Sequence, residues 1–139
     1  MNDMLSFFTA NWLGIVLATV AAMIIGSIWY AKPVFGTMWQ KEVGLKDSDM
    51  KSGFAKGMII MLVMAFVSAF VLKRFIVIAA PDSYFQAIKV ALWIWLGFVV
   101  TYAVGGGVFE KRSPKLMALN LGNQLVTLVV MAAIVYAIN

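Results

Sequence analysis

The sequence has no cysteine and no histidine, and it sets six acidic residues against eleven basic ones. Without cysteine there is no disulfide, no thiolate nucleophile and no iron–sulfur ligation; without histidine the commonest metal ligand and general base is missing. The few carboxylates are not paired for acid–base work. No catalytic, cofactor-binding or metal-ligating residue is therefore expected, and an enzyme acting on lipid is disfavoured. What fills the chain instead is apolar: hydrophobic residues make up 63% of the 139, charged ones 12%, and the mean hydropathy is +0.94. That balance lies well beyond a water-soluble domain and puts the chain in a lipid bilayer.

An apolar run of roughly 20 residues crosses a hydrocarbon core about 30 Å thick. Four runs qualify, at 12–31, 57–72 (with a continuation to 80 in question), 90–109 and 116–138. With their flanking signals they give spans at about 12–31, 54–74, 86–109 and 114–137, a single transmembrane domain. The second run is short unless Lys56 and the Lys73–Arg74 pair carry their charges to the two interfaces on long stems. No basic leader precedes the first run, so it is read as a retained span rather than a cleaved signal. The expected fold class is all-α: an integral membrane four-helix bundle with a short interfacial helix after the first span.

Basic residues give an orientation. The 32–56 connection holds five lysines and the 110–115 connection holds Lys111, Arg112 and Lys115, against Lys73, Arg74 and Lys89 on the other side. By the positive-inside rule both richer connections are cytoplasmic and both chain ends lie outside. The excess of basic residues is then topogenic charge beside anionic headgroups, and no nucleic-acid partner is needed.

Helix boundaries carry familiar signals. Ser83 precedes Gln86 by three residues, the spacing of a capping box, and starts the third helix. Ser113 caps the fourth, with Pro114 at its first position, where a missing N–H costs nothing. Between the first two spans, residues 33–43 place Phe35, Met38, Trp39 and Val43 at helical spacing, with Gly44 as the stop, and read as the interfacial helix with Trp39 at headgroup depth. Laid on each other without a gap, 12–33 and 93–114 share Trp12 with Trp93, Ala22 with Ala103, Gly26 with Gly107 and Pro33 with Pro114. Chance would give about two matches in so biased a composition; if the echo is ancestral, the bundle is two parallel helix hairpins.

The run GSIWYAKPVFGTMW, the segment Trp93-Ile94-Trp95-Leu96-Gly97-Phe98, the turn Phe109-Glu110-Lys111-Arg112 and Asn120 together resemble the bacterial domain-of-unknown-function family 1761 over essentially the whole chain. Lys32 intervenes before Pro33, where the family pattern places proline two residues after the Trp-Tyr pair. The resemblance implies four transmembrane helices in a small bacterial membrane protein, hence an inner-membrane location, and no established activity.

Polar groups at bilayer depth are costly unless partnered, so they are the candidate site. Asn120, Asn123, Gln124 and Thr127 recur at three- and four-residue steps as one stripe, expected to point inward. Such a stripe either ties helices together by hydrogen bonds or lines a solute or ion path. Gly105 to Gly107 either pack tightly or loosen the end of the third helix. Glu110 either pairs at the rim with a basic neighbour or joins Arg112, Asn120, Trp29 and Tyr30 in a partly buried cluster at the inner end. Trp12, Trp93 and Trp95 are placed in an outer interfacial belt, and Tyr30 and Trp39 in an inner one. Tyr102, near mid-span, needs a partner for its hydroxyl, such as Thr19, Ser68 or the amide stripe. The functions these features support are, first, a structural or accessory protein acting through helix packing and homo-oligomerisation. The second is a passive channel or transporter for a small solute or ion, formed by a homo-oligomer, because no span carries the acidic residue that proton coupling wants.

Overall fold

The computed structural model describes residues 2–138. The chain forms α1 (Asn2–Trp29), a π turn over Lys32–Gly36 that runs into α2 (Thr37–Val43), a short α3 (Asp47–Lys51), and α4 (Phe54–Ala79). It continues through α5 (Tyr84–Ile94), a π segment (Trp95–Val100), α6 (Thr101–Phe109) and α7 (Pro114–Ala137). The α5–α6 pair with its π segment is one rod, so four helices are long and apolar enough to cross a membrane: Asp3–Trp29, Phe54–Ala79, Tyr84–Phe109 and Pro114–Ala137. Among the described residues there is no strand, and the all-α bundle expected from composition is the observed fold class.

The start signals operate as their residue types dictate. Ser83 Oγ accepts from the Gln86 N–H at 3.2 Å and Ser113 Oγ from the Leu116 N–H at 3.3 Å, each satisfying an orphan amide of a first turn. Gly44, at φ +85°, closes α2 in the left-handed region that favours glycine. Helix α6 ends differently. The Arg112 N–H reaches back to Gly107 O at 2.9 Å, with Lys111 at φ +56° as the left-handed residue. Gly105 to Gly107 are therefore regular helix, and the terminator falls on a lysine. In the π turn, Gly36 donates to Ala31 O five residues back at 2.8 Å, and a Cβ there would stand 2.3 Å from Tyr30 O.

One boundary departs from the sequence expectation, and a second takes the longer of the two ends the sequence left open. Helix α1 begins ten residues before position 12, its first turns held by Phe7 and Phe8 edge-on against Phe70 and Phe66 of α4 at 5.4 and 5.8 Å. Helix α4 passes 72 and 74 and runs to Ala79, with Lys73 turned into the bundle. It is 3% exposed and donates to the carbonyls of Val135 and, at 3.5 Å, Ile138 at the end of α7. The last carbonyls of a helix lack intrahelical partners and sit at the negative end of its dipole, which is where a buried ammonium is best placed. Arg74 does reach the rim, 3.8 Å from Asp3 and over the Phe7 ring.

Helix α7 is the hub, packing on α1, α4 and α5, with α4 also against α1. The core is drawn from Ile15 and Ala18, Ala69 and Leu72, Ala87 and Ala91, and Met131, Ala132 and Val135, mainly in the half of the bundle nearest the chain termini. Five of the core residues are alanines, Ala18, Ala69, Ala87, Ala91 and Ala132, which let helices approach where lipid supplies no hydrophobic drive for association. At the opposite end α4 splays: Ile59 to Met64 are all exposed. The α5–α6 rod shows how the π segment works. Positions 87, 91, 95, 99, 103 and 107, a four-residue step, are all buried or half-buried, with Val90 and Ile94 packed beside them. In a pure α-helix that step drifts by about 40° each time, and the wider π turn takes the drift back.

Candidate functional site

The polar residues singled out in the sequence fall into an inner seam and an outer groove. The seam lies on the first half of α7. Residues 119, 120 and 121 receive three donors from two other helices: Trp29 Nε1 donates to Leu119 O at 3.1 Å, the Tyr30 hydroxyl to Asn120 Oδ1 at 2.7 Å, and Trp95 Nε1 to Leu121 O at 2.9 Å. A helical carbonyl keeps a second lone pair after its intrahelical bond, so an indole can add to it without unwinding the turn. The Trp29 ring closes on Gly122, where a Cβ would come within 3.1 Å of the indole. Phe35 packs on Trp29 at 4.7 Å and Trp39 meets Tyr30 edge-on at 5.8 Å, so the interfacial helix is folded back onto the base of this seam.

Further along α7 the amides are less provided for. Asn123 is buried and its Oδ1 has no hydrogen-bond partner; one turn on, Thr127 Oγ1 is buried and equally unpartnered. Each such atom costs about 1–3 kcal/mol against a satisfied one. Gln124 is exposed, contrary to the expectation that the whole stripe points inward. It lies one residue, about 100°, around the helix from Asn123, which turns it off the seam.

The groove faces the other way. Thr101, Tyr102, Ala103, Gly105, Gly106, Glu110 and Arg112 line an open trough of about 390 Å³ on the outside of α6. Glu110 and Arg112 form an ion pair at 2.6 Å, each side chain more than half exposed. It is a rim pair; the alternative cluster with Asn120, Trp29 and Tyr30 does not form, because those residues are already engaged on the seam. Tyr102 is 85% exposed and has no hydrogen bond, so its hydroxyl meets neither Thr19, Ser68 nor the amides. Thr19 instead donates to Ile15 O at 2.8 Å. Of the three glycines only Gly107 is a close approach, against Met117; Gly105 and Gly106 have nothing within 4 Å of a built Cβ.

Sequence reasoning missed Trp95, which was placed in the outer belt. Its neighbours Trp93 and Trp12 do face outward, at 70% and 51% exposure. The missed signal was the four-residue row of small residues, Ala87, Ala91, Ala103 and Gly107, which puts position 95 on the packed face. Near the interfacial helix, Gln40 Nε2 donates to Asp47 Oδ1 at 2.9 Å and Lys32 Nζ lies 3.5 Å from the same oxygen. The Gln40 hydrogen bond first, and the Lys32 charge second, hold the Asp47 carboxyl below its ordinary value.

The family described as "Protein of unknown function (DUF1761)" matches residues 13–136. No curated protein and no solved structure matches the chain.

Proposed function

The chain belongs to the DUF1761 family, and from that premise we propose that it is a non-enzymatic accessory protein of the bacterial inner membrane that acts through helix packing and homo-oligomerisation. The observation that supports this reading is the use of the polar residues. Trp29, Tyr30, Asn120 and Trp95 are consumed in bonds between helices of one chain, while Tyr102, Glu110 and Arg112 are turned outward. An arrangement that locks the bundle inside and offers polar groups outside suits association with another membrane helix. The test is subunit counting by single-molecule photobleaching in lipid nanodiscs. The expected result is two or more copies per particle; one copy at every protein-to-lipid ratio overturns the reading. The orientation that goes with it puts both chain ends outside and the 32–56 and 110–115 connections in the cytoplasm. A reporter fused at the C-terminus that is active only in the cytoplasm would reverse it.

A second reading, a passive path for a small solute or ion within a homo-oligomer, is favoured by Asn123 Oδ1 and Thr127 Oγ1, two buried oxygens on successive turns without partners. Amide and hydroxyl oxygens can replace water around a permeant species without carrying charge. Flux in proteoliposomes that Asn123→Leu abolishes while the subunit count is unchanged supports the path. Equal leakage with and without the protein, across alkali cations, chloride and glycerol, removes it.

A further inference from the structure

Resting on the reading that the chain self-associates, we infer that the self-association surface is the outer face of α6, Phe98, Tyr102, Gly105, Gly106 and Phe109, closed at its end by the Glu110–Arg112 pair, and that its occupant is the same face of a second copy. These positions step by four, three, one and three along the rod and share one side of it. Their exposure is extreme: Phe98 is 72%, Tyr102 85% and Phe109 91% exposed.

Exposure alone does not argue for a partner in a bilayer, because lipid satisfies apolar side chains. The comparison within the molecule is the splayed half of α4, where Ile59, Ile60, Met61, Leu62, Val63 and Met64 are also exposed, at 47–63%, and wholly aliphatic or thioether. Lipid covers that surface without loss. The α6 face carries one group that lipid does not satisfy, a phenol hydroxyl with no partner about two turns from the end of the helix, beside two glycines without side chains and a rim ion pair. Its relief has the form of a helix-crossing point, small residues in the middle and aromatic knobs on both sides.

The charges choose the occupant. A two-fold axis along the membrane normal brings identical residues together at the same depth. Glu110 of each copy then stands near Arg112 of the other, and the 2.6 Å pair within one chain becomes part of a four-charge ring. A foreign helix would need an acid and a base placed in matching order at that depth; a second copy has them by construction. Gly105 and Gly106 admit the close approach, since nothing within the chain lies within 4 Å of a Cβ at either. That approach gives the Tyr102 hydroxyl an acceptor across the crossing.

The chain has no cysteine, so a single introduced thiol reports without background. Gly105→Cys, oxidised in native membranes, is expected to convert most of the protein to a disulfide-linked dimer of twice the chain mass, whereas Ile60→Cys on α4 stays monomeric. Gly106→Leu is expected to weaken dimerisation at least tenfold by energy transfer in vesicles, and Tyr102→Phe by a smaller factor. Both variants should keep the wild-type melting temperature or exceed it as monomers, because neither position packs within the chain. An oligomer that survives Gly106→Leu and cross-links through Ile60→Cys overturns this surface and leaves the self-association reading standing. Particles that are single copies throughout remove both. A Gly105→Cys product of any mass other than two chains overturns the second copy as occupant.

Discussion

On α7, residues 119 to 121 accept an indole, a phenol and a second indole from neighbouring helices, whereas on the α5–α6 rod a phenol, two glycines and an ion pair face away from the bundle. The two regions share one residue type, a tyrosine: Tyr30 is bonded on the seam and Tyr102 is exposed on the rod. What separates them is the helix neighbouring each: the α7 seam has aromatic donors on both sides, from α1 and from the rod, while the outer face of α6 has no helix of its own chain. A polar residue in a membrane helix is thus an inward or an outward device according to topology, and its type alone does not say which.

The sharpest way to break the contrast is a leucine in each region. Gly122→Leu drives a side chain into the Trp29 indole and is expected to cost about 1–3 kcal/mol in detergent unfolding. Gly106→Leu meets open space, and in the monomer it should gain several tenths of a kcal/mol to about 1 from helix propensity. A loss at both sites would erase the distinction.

Within the seam, satisfied and unsatisfied groups should respond with opposite signs. Tyr30→Phe strands Asn120 Oδ1 and is expected to destabilise by about 1 kcal/mol. Asn123→Leu replaces an unpartnered buried amide with an apolar group of similar size and is expected to be neutral or stabilising by up to about 1 kcal/mol. A clear loss of stability from Asn123→Leu would mean that something occupies that oxygen in lipid. At the rim, Glu110→Gln should change monomer unfolding by no more than about 0.5 kcal/mol, an effect that salt diminishes.

The smallest effect lies outside the bundle. The Asp47 carboxyl titrates below its ordinary value, so its hold on Gln40 and Lys32 is complete above the unfolded-state pKa of about 3.9 and is lost as pH falls through the lower folded value. Amide exchange over residues 40–47 should therefore quicken, relative to intrinsic rates, only at acid pH. Quickening at neutral pH would contradict the sign.

The legible parts of this molecule were those written locally. Ser83, Ser113 and Pro114 announce helix starts because capping is a contact between near neighbours in sequence, and hydropathy announces four long helices because lipid imposes it residue by residue. The capping reading missed Lys111, because a left-handed lysine at a helix end is a position where composition favours glycine. The orientation of Tyr102 and Trp95 was hidden for a different reason. Both were read from their depth along a span, and depth does not say which face of the helix a residue takes. Lys73 was misread because its partners, the carbonyls at the end of α7, lie about sixty residues further along the chain and have no side-chain signature.

Lys73 also sets an order on assembly. A ribosome delivers α4 to the membrane long before α7 exists, and until α7 follows, the ammonium has no helix end to bond. Helices α1 and α4 can pair early through Phe7, Phe8, Phe66 and Phe70, but the hub that joins them to the rod is made after all three. A nascent chain stopped before Pro114 therefore lacks the Val135 and Ile138 carbonyls to which Lys73 donates, and the helix that covers it.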